Sequence, residues 1–177
     1  MGEKIKALEK AIEAFDGKDI SNLKQAAALV DVKVEANKAA VDGLICYCQK
    51  DSDTSAQGAS WVLKFWWEKG WAFSSSQANK LIDSLINAES WQLRLHILQL
   101  LSGLTIAENQ TEKLHYHLRH CLCDTNKFVR AWSYNGLAEL AKQYPRYRDE
   151  VKQLFELAQN DDGEAASVKA RIRNIKI

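Results

Sequence analysis

KFVRAWSYNGLAELAKQYP, residues 127–145, places Val129, Trp132, Ser133, Gly136, Leu137 and Leu140 at spacings of three and four. That period draws one apolar stripe along a helix. Ser133 and Gly136 are small, so a neighbouring helix can approach closely while Trp132 fills the space beside them. Asp124-Thr125-Asn126 just ahead offers side-chain oxygens for the unpaired N–H groups of a helix start. Pro145 cannot continue the helix and closes it. The stretch therefore reads as a helix whose packed face meets another helix.

Working outward, the same local pattern recurs. Val129-Arg130 is matched by Val168-Lys169 in ASVKARIRNI (166–175) and by Leu93-Arg94 in SWQLRLHILQLLSGL (90–104), at separations of 36 and 39 residues. Helical periodicity extends over 3–15, 19–30, 33–49, 55–70, 75–87, 90–104, 109–123, 126–143, 147–159 and 165–176. Short polar punctuation separates these segments, including Asp16-Gly17, Asp51-Ser52-Asp53, Ser74-Ser75-Ser76 and Asp161-Asp162-Gly163. Taken in pairs they form five helical hairpins whose second helices begin near 19, 55, 90, 126 and 165, spaced 36, 35, 36 and 39 residues apart. A period of this size is the mark of stacked hairpins. With one Pro and eight Gly in 177 residues, there is little of the punctuation a β-rich fold needs.

The run Asp124-Thr125-Asn126-Lys127-Phe128-Val129-Arg130, followed by small Ser133 and Gly136 and then Leu137, resembles a HEAT repeat, in which a turn Asp and a Val-Arg pair open the second helix. Asp161/Asp162 with Val168-Lys169 echoes it, with Lys in place of Arg. The likeness is carried by two or three units; the first two follow from spacing alone. It implies an all-α, right-handed α-α superhelix of about five HEAT-like hairpins, with residues 1–177 as a single repeat domain. It also implies that Arg130 bonds a turn carboxylate such as Asp124 or Asp161/Asp162, as a rung that fixes how repeats stack.

Charge is nearly balanced, 24 Lys and Arg against 23 Asp and Glu, so general attraction to nucleic acid or anionic membrane is not built into the composition. Residues 1–88 carry a net −1 and residues 89–177 a net +2, with every Arg in the second part. No apolar run approaches the ~20 residues of a membrane span, and the acid-studded N-terminus is unlike a targeting peptide. A cytoplasmic location is expected. Cys46/Cys48 and Cys121/Cys123 lie within helical patterns, and free thiols are expected of them.

Three constellations invite chemistry. On a helix His117 and Cys121 are neighbours with His120 close by, but members of each Cys-x-Cys pair diverge by about 200°, so neither metal nor cofactor is expected. In the tryptophan helix 60–71, Trp61, Val62, Phe65 and Trp66 cluster on one arc. Trp71 falls beside Ser60 and Lys64, with Trp67 at the margin: either a wet aromatic edge or a helix buried all round with Trp71 folded back as a cap after Gly70. Finally Lys169, Arg173 and Lys176 form a C-terminal stripe, joined by Arg146, Arg148, Lys127 and Arg130 as phosphate contacts, or else a solvated end cap.

No Gly-rich phosphate loop, Gly-x-Ser-x-Gly elbow or His-Glu-x-x-His occurs. The expected function is thus non-enzymatic binding of another protein along the curved surface lined by the second helices, with Trp67, Trp71, Tyr134 and Glu139 as anchors. The alternative is nucleic-acid binding through Lys127, Arg130, Arg146, Arg148, Lys169 and Arg173. A third class is suggested by HEAT-like DNA alkylation-repair glycosylases, which trap a damaged base against Trp, Asp and Arg; Trp132 with Arg130, or Trp91 with Arg94, supplies only a fragment of that set.

Overall fold

The computed structural model describes residues 2–31, 33, 34, 37–50 and 54–177. Among them are ten α-helices and no strand: α1 (Glu3–Glu13), α2 (Ser21–Leu29), α3 (Ala39–Lys50), α4 (Thr54–Glu68), α5 (Ser75–Ile86), α6 (Trp91–Leu100), α7 (Thr111–Cys121), α8 (Lys127–Gln143), α9 (Arg148–Asn160) and α10 (Ala166–Arg173). Starts follow cap chemistry. Ser74 and Gln77 form a reciprocal capping box at α5, and Ser90 and Asn126 accept N–H bonds at α6 and α8, satisfying donors that have no partner within the helix.

The helices pack in sequence pairs, α1 with α2 through α9 with α10. The second members also form a row, α2 on α4, α4 on α6, α6 on α8 and α8 on α10, while α3 meets α5 and α5 meets α7. Contacts to the preceding and the next-but-one element are compatible with an α-solenoid. One apolar core runs from Ile5 to Val151, and a smaller cluster of Ala131, Tyr134, Ala158, Val168 and Ile172 ties α8, α9 and α10 together.

Close approach is visible where small residues were expected to allow it. A Cβ placed on Gly136 would sit 2.8 Å from both Leu101 Cδ1 and Leu118 Cδ2, so the missing side chain is what lets α8 nest against its neighbours. Val129, Ser133, Leu137 and Leu140 are buried on the same face.

The largest departure from the expected boundaries is at the start of α3, while α6 ends at Leu100 and α10 at Arg173, a turn short of the expected 104 and 176. The helix expected from 33 begins at Ala39, because Asp31 Oδ1 accepts the Lys33 N–H at 3.0 Å and Asn37 Nδ2 donates to Asp31 O at 2.9 Å. Such local side-chain bonds hold the backbone in a turn at the helix's expense. The turn expected at Asp51-Ser52-Asp53 lies outside the described residues.

Candidate partner-binding site

The end of α4 positions the site. Gly70 adopts φ +93°, a left-handed conformation that costs glycine little. Gly70 N–H donates to Trp67 O at 2.8 Å and Trp71 N–H donates to Trp66 O at 3.0 Å. This is the Schellman arrangement, in which the residue after the glycine folds back over the last helical turn. Trp71 is therefore not on the helical arc with Ser60 and Lys64. The helix reverses before reaching it, and Trp71 lies half-buried against the core, with its Nε1 shielded from solvent and without an acceptor among the described residues.

Trp66 is anchored from the other side. Its Nε1 donates to Ala27 O at 3.0 Å, satisfying a carbonyl in the last turn of α2. Between the ends of α2 and α4 this leaves a cavity of about 390 Å³, walled by Phe65, Trp66 and Trp71 on one side and by Ala27, Ala28 and Val30 on the other. Lys33, Lys69 and Asp31 complete its lining. Lys69 Nζ stands 5.8 Å from the Phe65 ring centre, within cation–π range. A Cβ on Gly70 would lie 4.0 Å from Lys33 Nζ, so that ammonium hangs over the carboxyl end of α4, where the helix dipole favours a cation. Leu29, 56% exposed, and Val34, 48% exposed, adjoin these residues in the chain and add apolar surface open to water.

The other expected anchors fall elsewhere. Trp67 packs on the backbone of Gly103, where a Cβ would lie 2.0 Å from Trp67 Nε1; it is half-buried core contact, not a free edge. Tyr134 is only 6% exposed and meets Phe155 edge-on at 5.7 Å, and burial pushes its phenol up to about 12. It belongs to the core. Glu139, its side chain 16% exposed, pairs with Lys142 at 2.8 Å. Of the four, Trp71 lines the cavity between α2 and α4.

The basic strip is partly spent on the fold. Arg130 binds Glu164 through Nε and Nη2, the latter at 2.8 Å, and donates Nη1 to Asp124 O at 2.8 Å and Thr125 O at 3.3 Å. Glu164 raises its already high pKa, chiefly through that hydrogen bond. Its carboxylate partner is thus Glu164, not Asp124 or Asp161/Asp162, because Asp124 is already paired with Arg94 and Asp161 caps its own turn through Gly163 N–H at 2.8 Å. Arg94 repeats the arrangement one hairpin earlier, reaching Ala88 O, Glu89 O and the Asp124 carboxylate. Each Arg ties its own turn to the next.

Arg146 is exposed, bonded to Glu108 at 2.5 Å and Thr111 Oγ1 at 2.7 Å, and lies over Tyr144 and Tyr147. Lys127 rests over the exposed Phe128 ring at 5.4 Å. Arg148 and Arg173 are exposed and Lys169 is half-buried. Trp132 is covered by Arg171, whose guanidinium carbon lies 3.8 Å from the ring centre, while Arg130 points into the ladder. The Trp132–Arg130 fragment is not assembled as a base trap. Among the described residues Trp91 is 43% exposed, but its companion Arg94 is held by Asp124.

At the cysteine–histidine helix, His117 Nε2 lies 3.3 Å from Cys121 Sγ. Burial, with Arg94 and His120 adding to it, lowers His117 to about 4, and burial raises the Cys121 thiol to about 11. No group of three or more metal-ligating side chains occurs among the described residues. Cys48 is buried and Cys46 exposed on divergent positions of α3, while Cys121 is buried at the end of α7 and Cys123 is exposed in the turn that follows, two residues beyond the end of a helix expected to reach 123.

Phe65, Trp66, Lys69, Lys33, Leu29 and Val34 went unnoticed as a group in the sequence. Gly70 directly after a tryptophan-rich helix was the available signal. No family model matches the chain, and no curated protein is similar to it.

Proposed function

We propose that this chain is a non-enzymatic binding module, a HEAT-like right-handed superhelix that recognises another protein on the surface of its second helices. The supporting observation is the cavity between α2 and α4, lined by three aromatic residues including the fold-back Trp71, with exposed Leu29 and Val34 next to its lining residues in the chain. Aromatic pockets bordered by open apolar surface are where interfaces concentrate their energy. Arg94 and Arg130 stiffen the later hairpins of the same array by bonding each turn to the next. A nucleic-acid role is less favoured, since Arg130 and Arg146 spend their guanidinium groups on Glu164 and Glu108.

The test uses Leu29→Ser with Val34→Ser, exposed positions whose change should spare the fold. The wild-type chain should capture the same protein repeatedly from its native lysate, the double variant should lose it at unchanged melting temperature, and random duplex DNA should not be retained at physiological salt. Salt-sensitive DNA binding abolished by Arg148→Ala with Arg173→Ala would replace this reading with the nucleic-acid one.

A further inference from the structure

We propose that the α2–α4 cavity receives a bulky apolar side chain carried on an acidic peptide segment of the partner; this rests on the protein-binding reading above. The cavity, at about 390 Å³, falls at the small end of ligand-site volumes and suits one large side chain with its adjoining backbone. Phe65, Trp66 and Trp71 line it, and against such rings an aromatic or branched guest gains contact beyond simple burial.

Charge selects the flanks. Lys33 and Lys69 line the cavity, and neither ammonium has an ion-pair partner among the described residues. Asp31 is the opposing charge there, so two lysines against one aspartate leave the lining with a net single positive charge. Carboxylates beside the guest residue would meet both ammonium groups, whereas a basic segment would be repelled by them. A nucleotide also joins a flat ring to an anion. Yet Leu29 and Val34, exposed and next in the chain to the lining residues Ala28, Val30 and Lys33, add aliphatic surface, which a peptide's side chains can cover and a sugar–phosphate chain cannot.

The experiment is selection of a displayed random-peptide library on the immobilised full chain, followed by affinity measurement of the enriched peptide and of a single-stranded thymidine oligonucleotide. Trp71→Phe identifies the Trp71 indole N–H resonance without emptying the wall. The expected consensus is one Phe, Trp, Tyr or Leu flanked by Asp or Glu. Its binding should shift the Trp71 resonance and weaken by roughly tenfold or more on Lys33→Glu with Lys69→Glu, the equivalent of about 1.4 kcal/mol. A consensus lacking acids, or one indifferent to the two lysine changes, overturns the acidic-partner inference while leaving protein binding intact. Absence of any enriched peptide, with the oligonucleotide shifting Trp71, overturns both.

Discussion

Arg130 separates structural from surface charge in this protein. Its guanidinium holds three backbone or side-chain partners in two successive turns, and Glu164 opposite is nearly buried. Arg130→Ala leaves that carboxylate with only the Ala165 N–H at 2.7 Å. Thermal and denaturant unfolding should show a loss of about 2–4 kcal/mol. Arg146→Ala removes an exposed pair with Glu108 and should shift the melting temperature far less. Equal losses in the two variants would contradict the ladder. His96 gives a second residue-scale prediction. Burial, assisted by Lys64, lowers its pKa to about 4 from the ordinary 6.5, and its Nδ1 shares a 2.8 Å hydrogen bond with Ser60 Oγ. As pH falls, the unfolded chain takes the proton first. Stability contributed by neutral His96 is complete above about 6.5, declines toward about 4, and falls no further below that. The full effect is on the order of 3 kcal/mol. His96→Gln should flatten the curve in this window, measured by denaturant unfolding across pH; an unchanged slope would contradict it.

At the scale of elements, the ten helices were legible because stripes at spacings of three and four survive packing, and because Ser74, Ser90 and Asn126 announce their own helix starts. The start of α3 was not, since Asp31 captures a backbone N–H that periodicity assigns to the helix. Of the two placements open for Trp71, a wet edge on the helical arc or a cap folded back after Gly70, the second is the one found. A helical wheel carried to Trp71 puts it beside Ser60 and Lys64, but α4 ends at Glu68 and Gly70 at φ +93° reverses the chain, so angular bookkeeping stops applying before Trp71. The ladder's carboxylate, expected at Asp124 or Asp161/Asp162, is Glu164, as nothing in Asp161-Asp162-Gly163-Glu164 says which acid faces Arg130. Small-residue contacts were readable, and they can be tested. Gly136→Ala should cost about 1–3 kcal/mol through crowding against Leu101 and Leu118, despite alanine's better helix propensity. A gain in melting temperature would mean α8 is not nested as closely as described.

Across the whole molecule, the second helices form a continuous row from α2 to α10, yet charge and apolar surface are distributed unevenly along it. The Arg94 and Arg130 rungs lie between α6 and α10, whereas Gly58 takes the corresponding place in α4 and packs under Phe15. The stiffened hairpins and the cavity are therefore at different parts of the array, and binding at the cavity need not disturb the ladder. The two rival surfaces, the α2–α4 cavity and the cations of α8 to α10, are far enough apart in sequence to be told apart by one experiment. Hydrogen exchange of the full chain, with and without the peptide enriched by selection, locates the contact directly. Slowed exchange at Ala27–Val30 and Phe65–Trp71, with α8 to α10 unchanged, is the result expected here; protection concentrated on α8 to α10, with none at α2 and the end of α4, would contradict it.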